Sequence, residues 1–170
     1  MVPAIILIMM LPYFHLQRAL STLLFGLAAL TDYLDGLIAR ITNQYTPFGA
    51  FLDPVADKLM VCTVLILLAS QIGDLIGLPA ALIVGREIFV SALREFMASK
   101  GSRETVAVGV WGKFKTAMQM FALLILLASG PGSSLFKLGI LLLYISTILT
   151  ISSAVGYIRA ALPALSSTKA

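Results

Sequence analysis

The chain has 170 residues, of which 59% are hydrophobic and 12% charged, with a mean hydropathy of +1.00. Twelve Lys and Arg against eight Asp and Glu leave a formal charge of +4. This composition lies far outside that of soluble domains and excludes a nucleic-acid binder of the ordinary soluble kind; the single cysteine, Cys62, excludes a disulfide framework and reads as a buried small hydrophobe.

The chain opens on MVPAIILIMMLP, about eleven apolar residues, or ~16 Å of helix against a hydrocarbon core of ~30 Å. That segment cannot span alone, and it has neither the charged start nor the cleavage site of a signal peptide. The expectation is a first helix that begins before Met1, by truncation or a misassigned start. Apolar stretches at 19–31, 59–70, 75–84, 117–129 and 135–158 reach spanning length once their polar ends are included. They predict helix 2 at about 18–42, helix 3 at 47–70, helix 4 at 77–99, helix 5 at 109–129 and helix 6 at 134–161. Runs such as VLILLAS and FALLILLAS are continuously apolar and do not alternate, which favours helices over a barrel. Thr46-Pro47 reads as an N-cap with a first-turn proline, and Gly130-Pro131-Gly132 as a turn. With no Ser- or Pro-rich linker and no repeat, residues 1–170 are expected to form one all-α domain, a polytopic membrane bundle of six transmembrane helices.

Six spans would put Arg40, Lys58, Lys100, Arg103, Lys113, Lys115, Arg159 and Lys169 on one face and only Arg18 and Lys137 on the other, with Arg86 and Arg94 inside a helix. The positive-inside rule then makes the aspartate-bearing face and both termini cytoplasmic. A basic face of this kind also attracts anionic lipids. His15, Asp74 and Trp111 read as loop and belt residues, and Met9, Met10, Met118 and Met120 as packing or lipid-facing positions.

The end of helix 2 and the start of helix 3 carry TDYLDGLIARITNQYTPFGAFLDPVADK, with Asp32 and Asp35 on the first and Asp53 and Asp57 on the second. A carboxylate in or near lipid costs several kcal/mol unless neutralised, so the default reading is a functional site. Asp32 and Asp35 are three apart and Asp53 and Asp57 four apart, so each pair shares a helix face. If a tight link at 42–46 brings the faces together, each pair of carboxylates at ~4 Å repels by roughly 4 kcal/mol at an effective dielectric of ~20. Divalent cations relieve that repulsion, and an all-oxygen donor set points to Mg²⁺ or Mn²⁺ rather than zinc. Two ions would spread charge over the attacking and leaving oxygens of a phosphoryl centre. Gly36, Ala39 and Gly49 remove bulk where a ligand or backbone must approach; alone, they would read as ordinary helix packing.

The second polar stretch spans 85–120. Glu87, Ser91 and Arg94 fall on one stripe of helix 4, with Arg86 about 100° away around the axis. They either line an anion pocket, in which guanidinium groups grip a phosphate, or let Glu87 and Arg94 pair to lock helices together. On helix 5, Lys113 shares a face with Thr116 and Lys115 with Gln119; either lysine could instead be a cytoplasmic flank charge.

The motif Asp32-x-x-Asp35-Gly36-x-x-Ala39-Arg40, eight residues, then Gly49-x-x-x-Asp53-x-x-x-Asp57 resembles the signature of the CDP-alcohol phosphotransferase family at every fixed position. The resemblance implies a membrane enzyme of six transmembrane helices, commonly dimeric, that displaces CMP from a CDP-linked lipid or alcohol with Mg²⁺ or Mn²⁺, and a place in the bacterial inner membrane with its site toward the cytoplasm. It implies that Asp32, Asp35, Asp53 and Asp57 hold the metals and that Asp57 is the base. Asp32, Gly36, Ala39, Arg40, Gly49 and Asp53 would receive the nucleotide, although Arg40 could simply anchor its helix at the interface. The segments REI-x-x-SALREFMA, VAV, GK-x-KT and QM are similar to the branch that forms phosphatidylglycerol phosphate. That likeness implies CDP-diacylglycerol as donor and glycerol 3-phosphate as acceptor, with Arg86, Arg94, Lys113, Lys115 and Thr116 around the acceptor phosphate. The amphipathic segment that usually precedes the first span of family members is missing from this sequence.

Three alternatives compete: a sibling enzyme that uses inositol phosphate, serine or phosphatidylglycerol, a small cation transporter, and a structural membrane subunit. The transporter predicts polar residues continuing across the bilayer, whereas the carboxylates cluster on one side and VCTVLILLAS offers no path. A structural subunit leaves the four carboxylates without a reason.

Overall fold

The computed structural model of the chain describes residues 2–12, 14–42, 47–99 and 110–166, the side chains of 14, 33, 36–40, 42, 47–54, 110–114, 160 and 163–166 excepted. Six helices run through these residues: α1 (Val2–Met9), α2 (Phe14–Thr42), α3 (Pro47–Ile72), α4 (Asp74–Ser99), α5 (Val110–Ala128) and α6 (Ser134–Ser166). The all-α bundle expected from unbroken apolar runs therefore forms, and no strand occurs among the described residues.

Helix ends extend beyond the apolar runs. α2 starts at Phe14 rather than near Arg18, α4 at Asp74 rather than 77, and α6 reaches Ser166 rather than 161. Terminal turns can carry polar residues without cost: Asp74 suits the positive end of the α4 dipole, and an apolar-run criterion cuts such turns off. Among the described residues three stretches are long and apolar enough to cross a membrane, Val55–Ile72, Asp74–Ser99 and Ser134–Arg159. α1, with eight residues or ~12 Å of rise, does not cross one alone.

Two glycines turn the chain between long helices. Gly73, at φ 84, follows α3 and donates its N–H to Ala69 O at 2.8 Å, the left-handed position that ends a helix with least strain. α4 then packs back on α3. Gly132, at φ 90, serves the predicted Gly-Pro-Gly turn, and Ser133 Oγ accepts the Phe136 N–H at 3.1 Å as the cap of α6. α5 and α6 approach so closely that a Cβ at Gly139 would stand 2.9 Å from the Leu126 side chain.

The core is built from Ile5, Phe25, Val64, Leu65, Ile76, Ile83, Leu123 and Leu143, all almost fully buried and drawn from all six helices. Because lipid is as apolar as these side chains, close van der Waals packing rather than escape from water holds them together. Backbone groups must be satisfied inside the protein. Pro79 in α4 has no N–H for the carbonyl of Leu75, and Tyr144 on α6 donates its hydroxyl to that oxygen at 3.2 Å. At the end of α1, Gln17 and Gln71 both donate side-chain amides to Met9 O, the latter at 3.0 Å. Arg18 on α2 donates from Nη2 to Ala128 O, the last residue of α5, at 2.5 Å.

Candidate active site

α4 packs against α3 and α6, and α5 against α6, so four helices can wall a common space. Each offers polar residues about one or two turns apart, hence on one stripe. Asp57, Lys58, Val61 and Cys62 come from α3, and Arg86, Glu87 and Arg94 from α4. Lys115, Thr116 and Gln119 come from α5, and Tyr157 from α6; together these side chains line a cavity of about 240 Å³.

Glu87 is the hub. Its Oε1 lies 2.6 Å from Arg86 Nη1 and 3.2 Å from Lys115 Nζ, and its Oε2 lies 3.9 Å from Lys58 Nζ. Arg86 and Lys115 are 9% and 5% exposed and Glu87 17%, so these ion pairs are shielded from water and a missing partner would leave an uncompensated charge. Lys58 Nζ also donates to Ser91 Oγ at 2.5 Å. Arg86 Nη2 donates to Ser153 Oγ and Arg94 Nη2 to Tyr157 OH, both at 2.9 Å. Four cations and two carboxylates, Asp57 and Glu87, line the space, a formal balance of +2. Among the described residues neither arginine's buried Nε–H has a hydrogen-bond partner, an arrangement suited to an anion.

The sequence-predicted residues divide into three groups. Asp57, Arg86, Arg94, Lys115 and Thr116 meet at the cavity. Asp32 and Asp35 are exposed, one turn apart on α2, which packs on α1 and α5. The surroundings of Gly36 and Gly49, the side chains of Ala39, Arg40, Asp53 and Lys113, and all of Thr46 lie outside what the structure describes. Among the described residues no three His, Cys, Asp or Glu side chains stand within reach of one ion.

Several expectations are corrected. Lys58 does not belong simply to the basic face: its ammonium turns toward Glu87, as does that of Lys115. Glu87 pairs with Arg86, Lys115 and Lys58, and Arg94 bonds to Tyr157 instead, so the lock between Glu87 and Arg94 does not form. Cys62 is only half-buried and stands in the cavity wall, one turn beyond Lys58, rather than in the apolar core. Lys58, Ser153 and Tyr157 were missed as site residues. A signal was available: Ser146, Thr150, Ser153 and Tyr157 recur at spacings of four, three and four in an otherwise apolar helix.

The family model for CDP-alcohol phosphatidyltransferases matches residues 1–152. The chain belongs to the CDP-alcohol phosphatidyltransferase family. It is 51% identical over 168 residues, 97% of this chain and 86% of the relative, to a CDP-diacylglycerol–glycerol-3-phosphate 3-phosphatidyltransferase of Pseudomonas fluorescens. Proteins of the same name from Sodalis glossinidius and Haemophilus influenzae are 47% and 46% identical, over 95% and 84% of this chain and 88% and 77% of theirs. As a CDP-alcohol phosphatidyltransferase the protein is an integral membrane enzyme of phospholipid synthesis, from a family that works with divalent cations. The oxygen-only carboxylates of Asp32, Asp35, Asp53 and Asp57 have the chemistry such hard ions require.

Proposed function

We propose that this chain transfers the phosphatidyl group of CDP-diacylglycerol to sn-glycerol 3-phosphate, giving phosphatidylglycerol phosphate and CMP. The carrying observation is the convergence of Arg86, Arg94, Lys115 and Thr116 with Asp57 on one cavity of formal charge +2. A phosphate monoester at neutral pH is a dianion or nearly so, and guanidinium groups bind it with fixed geometry. At about 240 Å³ the cavity is smaller than the ~300–1,000 Å³ clefts that take drug-sized ligands, a size that suits a small acceptor and leaves acyl chains in the bilayer. The names of the relatives support the same acceptor.

The acceptor's 1-hydroxyl oxygen attacks the β-phosphorus of the donor, forming one P–O bond. The bond from the β-phosphorus to the bridging oxygen breaks, and CMP leaves with that oxygen and the electron pair. Asp57 takes the hydroxyl proton, while Arg86, Arg94, Lys113, Lys115 and Thr116 fix the acceptor phosphate. Asp32, Gly36, Ala39, Arg40, Gly49 and Asp53 receive the cytidine nucleotide. Asp32, Asp35, Asp53 and Asp57 would hold Mg²⁺ or Mn²⁺, two ions in the fullest occupancy, and bound ions neutralise the diphosphate. Positioning and charge stabilisation, rather than covalent chemistry, account for most catalysis of phosphoryl transfer.

In this reading the bundle is the family's membrane domain of six transmembrane helices. The cavity end faces the cytoplasm from a bacterial inner membrane, and the working form is a homodimer. Purified enzyme offered labelled glycerol 3-phosphate, inositol phosphate, serine and phosphatidylglycerol, each with CDP-diacylglycerol and Mg²⁺, should release CMP in step with product from glycerol 3-phosphate alone. A different preferred acceptor would move the chain to a sibling reaction. Metal flux into proteoliposomes without CMP release would make it a transporter.

A further inference from the structure

Arg86 and Arg94 are eight residues apart on α4, a separation of ~12 Å along the axis and about 80° around it. Helix geometry alone therefore does not aim two guanidinium groups at one phosphate. A neighbouring helix must turn them toward a common point, and α6 makes those contacts. The Tyr157 ring lies 5.6 Å from Arg86 Cζ and 5.0 Å from Arg94 Cζ, so one aromatic group serves both cations. Its hydroxyl accepts from Arg94 Nη2, and Ser153, one turn earlier on the same helix, accepts from Arg86 Nη2. Each guanidinium is thus held by a ring and a hydroxyl, while its Nε–H has no partner among the described residues.

The chemistry of these two partners matters as much as their placement. Glu87 also holds Arg86, but it subtracts a charge from the cavity. Tyr157 and Ser153 are neutral, so they orient the arginines and leave the formal +2 intact. A carboxylate at position 157 would hold Arg94 more strongly and remove half of that balance. We propose that Tyr157, seconded by Ser153, is a positioning residue that sets both arginines for a dianionic acceptor and thereby determines selectivity for a phosphate ester. This rests on the reading of the cavity as the acceptor site.

The test is a steady-state series on the purified full chain in mixed micelles with CDP-diacylglycerol and Mg²⁺. Tyr157→Phe removes the hydroxyl and keeps the ring, and should raise KM for glycerol 3-phosphate ~10-fold, the scale of a hydrogen bond to a charged group. Tyr157→Leu removes both and should raise it roughly 50-fold, given the added loss of two cation–π contacts. Ser153→Ala should raise it ~3- to 10-fold. KM for CDP-diacylglycerol should stay within about twofold of wild type in all three, as a separate donor site requires. Competitive inhibition by inorganic phosphate should weaken in parallel, because it reads the anion site without the reaction.

Folded variants with wild-type KM for glycerol 3-phosphate and wild-type phosphate inhibition would overturn the proposal. So would an equal loss in kcat with no change in KM, which would place Tyr157 in the chemical step. If Tyr157→Leu does not fold, Tyr157→Phe and Ser153→Ala decide alone. A wild-type enzyme that ignores glycerol 3-phosphate defeats the acceptor assignment instead, and phosphate inhibition of whichever acceptor it uses still judges Tyr157.

Discussion

Arg18 and Arg86 are both arginines inside an apolar bundle, yet they stand in different company. Arg18 bonds a main-chain oxygen at the end of α5 and lies against the turn at Gly130, where a Cβ would come within 2.8 Å of its Nη1. Nearby, Gln17 and Gln71 likewise bond the main-chain oxygen of Met9. Arg86, among the described residues, bonds side chains alone, the Glu87 carboxylate and the Ser153 hydroxyl, at a cavity it shares with three other cations. Polar side chains that close off helix ends hold the bundle together. Polar side chains that bond one another around a cavity, with charge left over, prepare it for a ligand.

Substitutions at the two ends should therefore separate catalysis from stability. The largest effect is expected of Asp57→Asn, which removes the proton acceptor and should cut CMP release roughly 10³- to 10⁴-fold. Binding of CDP-diacylglycerol by equilibrium dialysis should survive it; a near-normal rate would remove Asp57 from the role of base. Glu87→Ala comes next: with three cations left unbalanced, ~3–5 kcal/mol of stability should go, read as a fall in the melting temperature in detergent. Unchanged melting would mean that water or lipid headgroups already screen the cluster.

Arg94→Ala should leave the fold in place but raise KM for glycerol 3-phosphate by ~10- to 100-fold, the scale of a lost charge-assisted hydrogen bond. At the opposite end, Arg18→Ala should lower stability by about 1–2 kcal/mol, through the lost cap at α5, with kcat and both KM values intact. A change in acceptor KM there would abolish the distinction between the two ends. Smallest is Tyr144→Phe, which deprives Leu75 O of its donor and should cost about 0.5–1.5 kcal/mol, with no kinetic effect.

The helices and the aspartate motif were legible in the sequence because both depend on spacing along the chain. Apolar runs fix which segments are helical, and i, i+3 and i, i+4 spacing places Asp32 with Asp35 and Asp53 with Asp57. The cavity was legible in half. Arg86, Arg94, Lys115 and Thr116 stand out as polar residues in apolar helices, but spacing does not say which helix lies opposite. That is why sequence alone puts Lys58 on the basic face and leaves Tyr157 in an apolar C-terminal helix. Pairwise packing of α4 with α3 and α6 is a tertiary fact, and it decides that Glu87 meets Lys58 while Arg94 meets Tyr157. Helix ends were misjudged for a local reason, since capping turns tolerate polar residues such as Gln17 and Asp74.

Cys62 is the only thiol in the chain, and it stands in the same cavity wall as Asp57. The protein thus carries its own reporter at the place where occupancy matters. A maleimide needs no engineered attachment point, and its rate of capture measures how open the chamber is. Alkylation slowed by glycerol 3-phosphate and unaffected by serine would register the acceptor's arrival with no turnover at all.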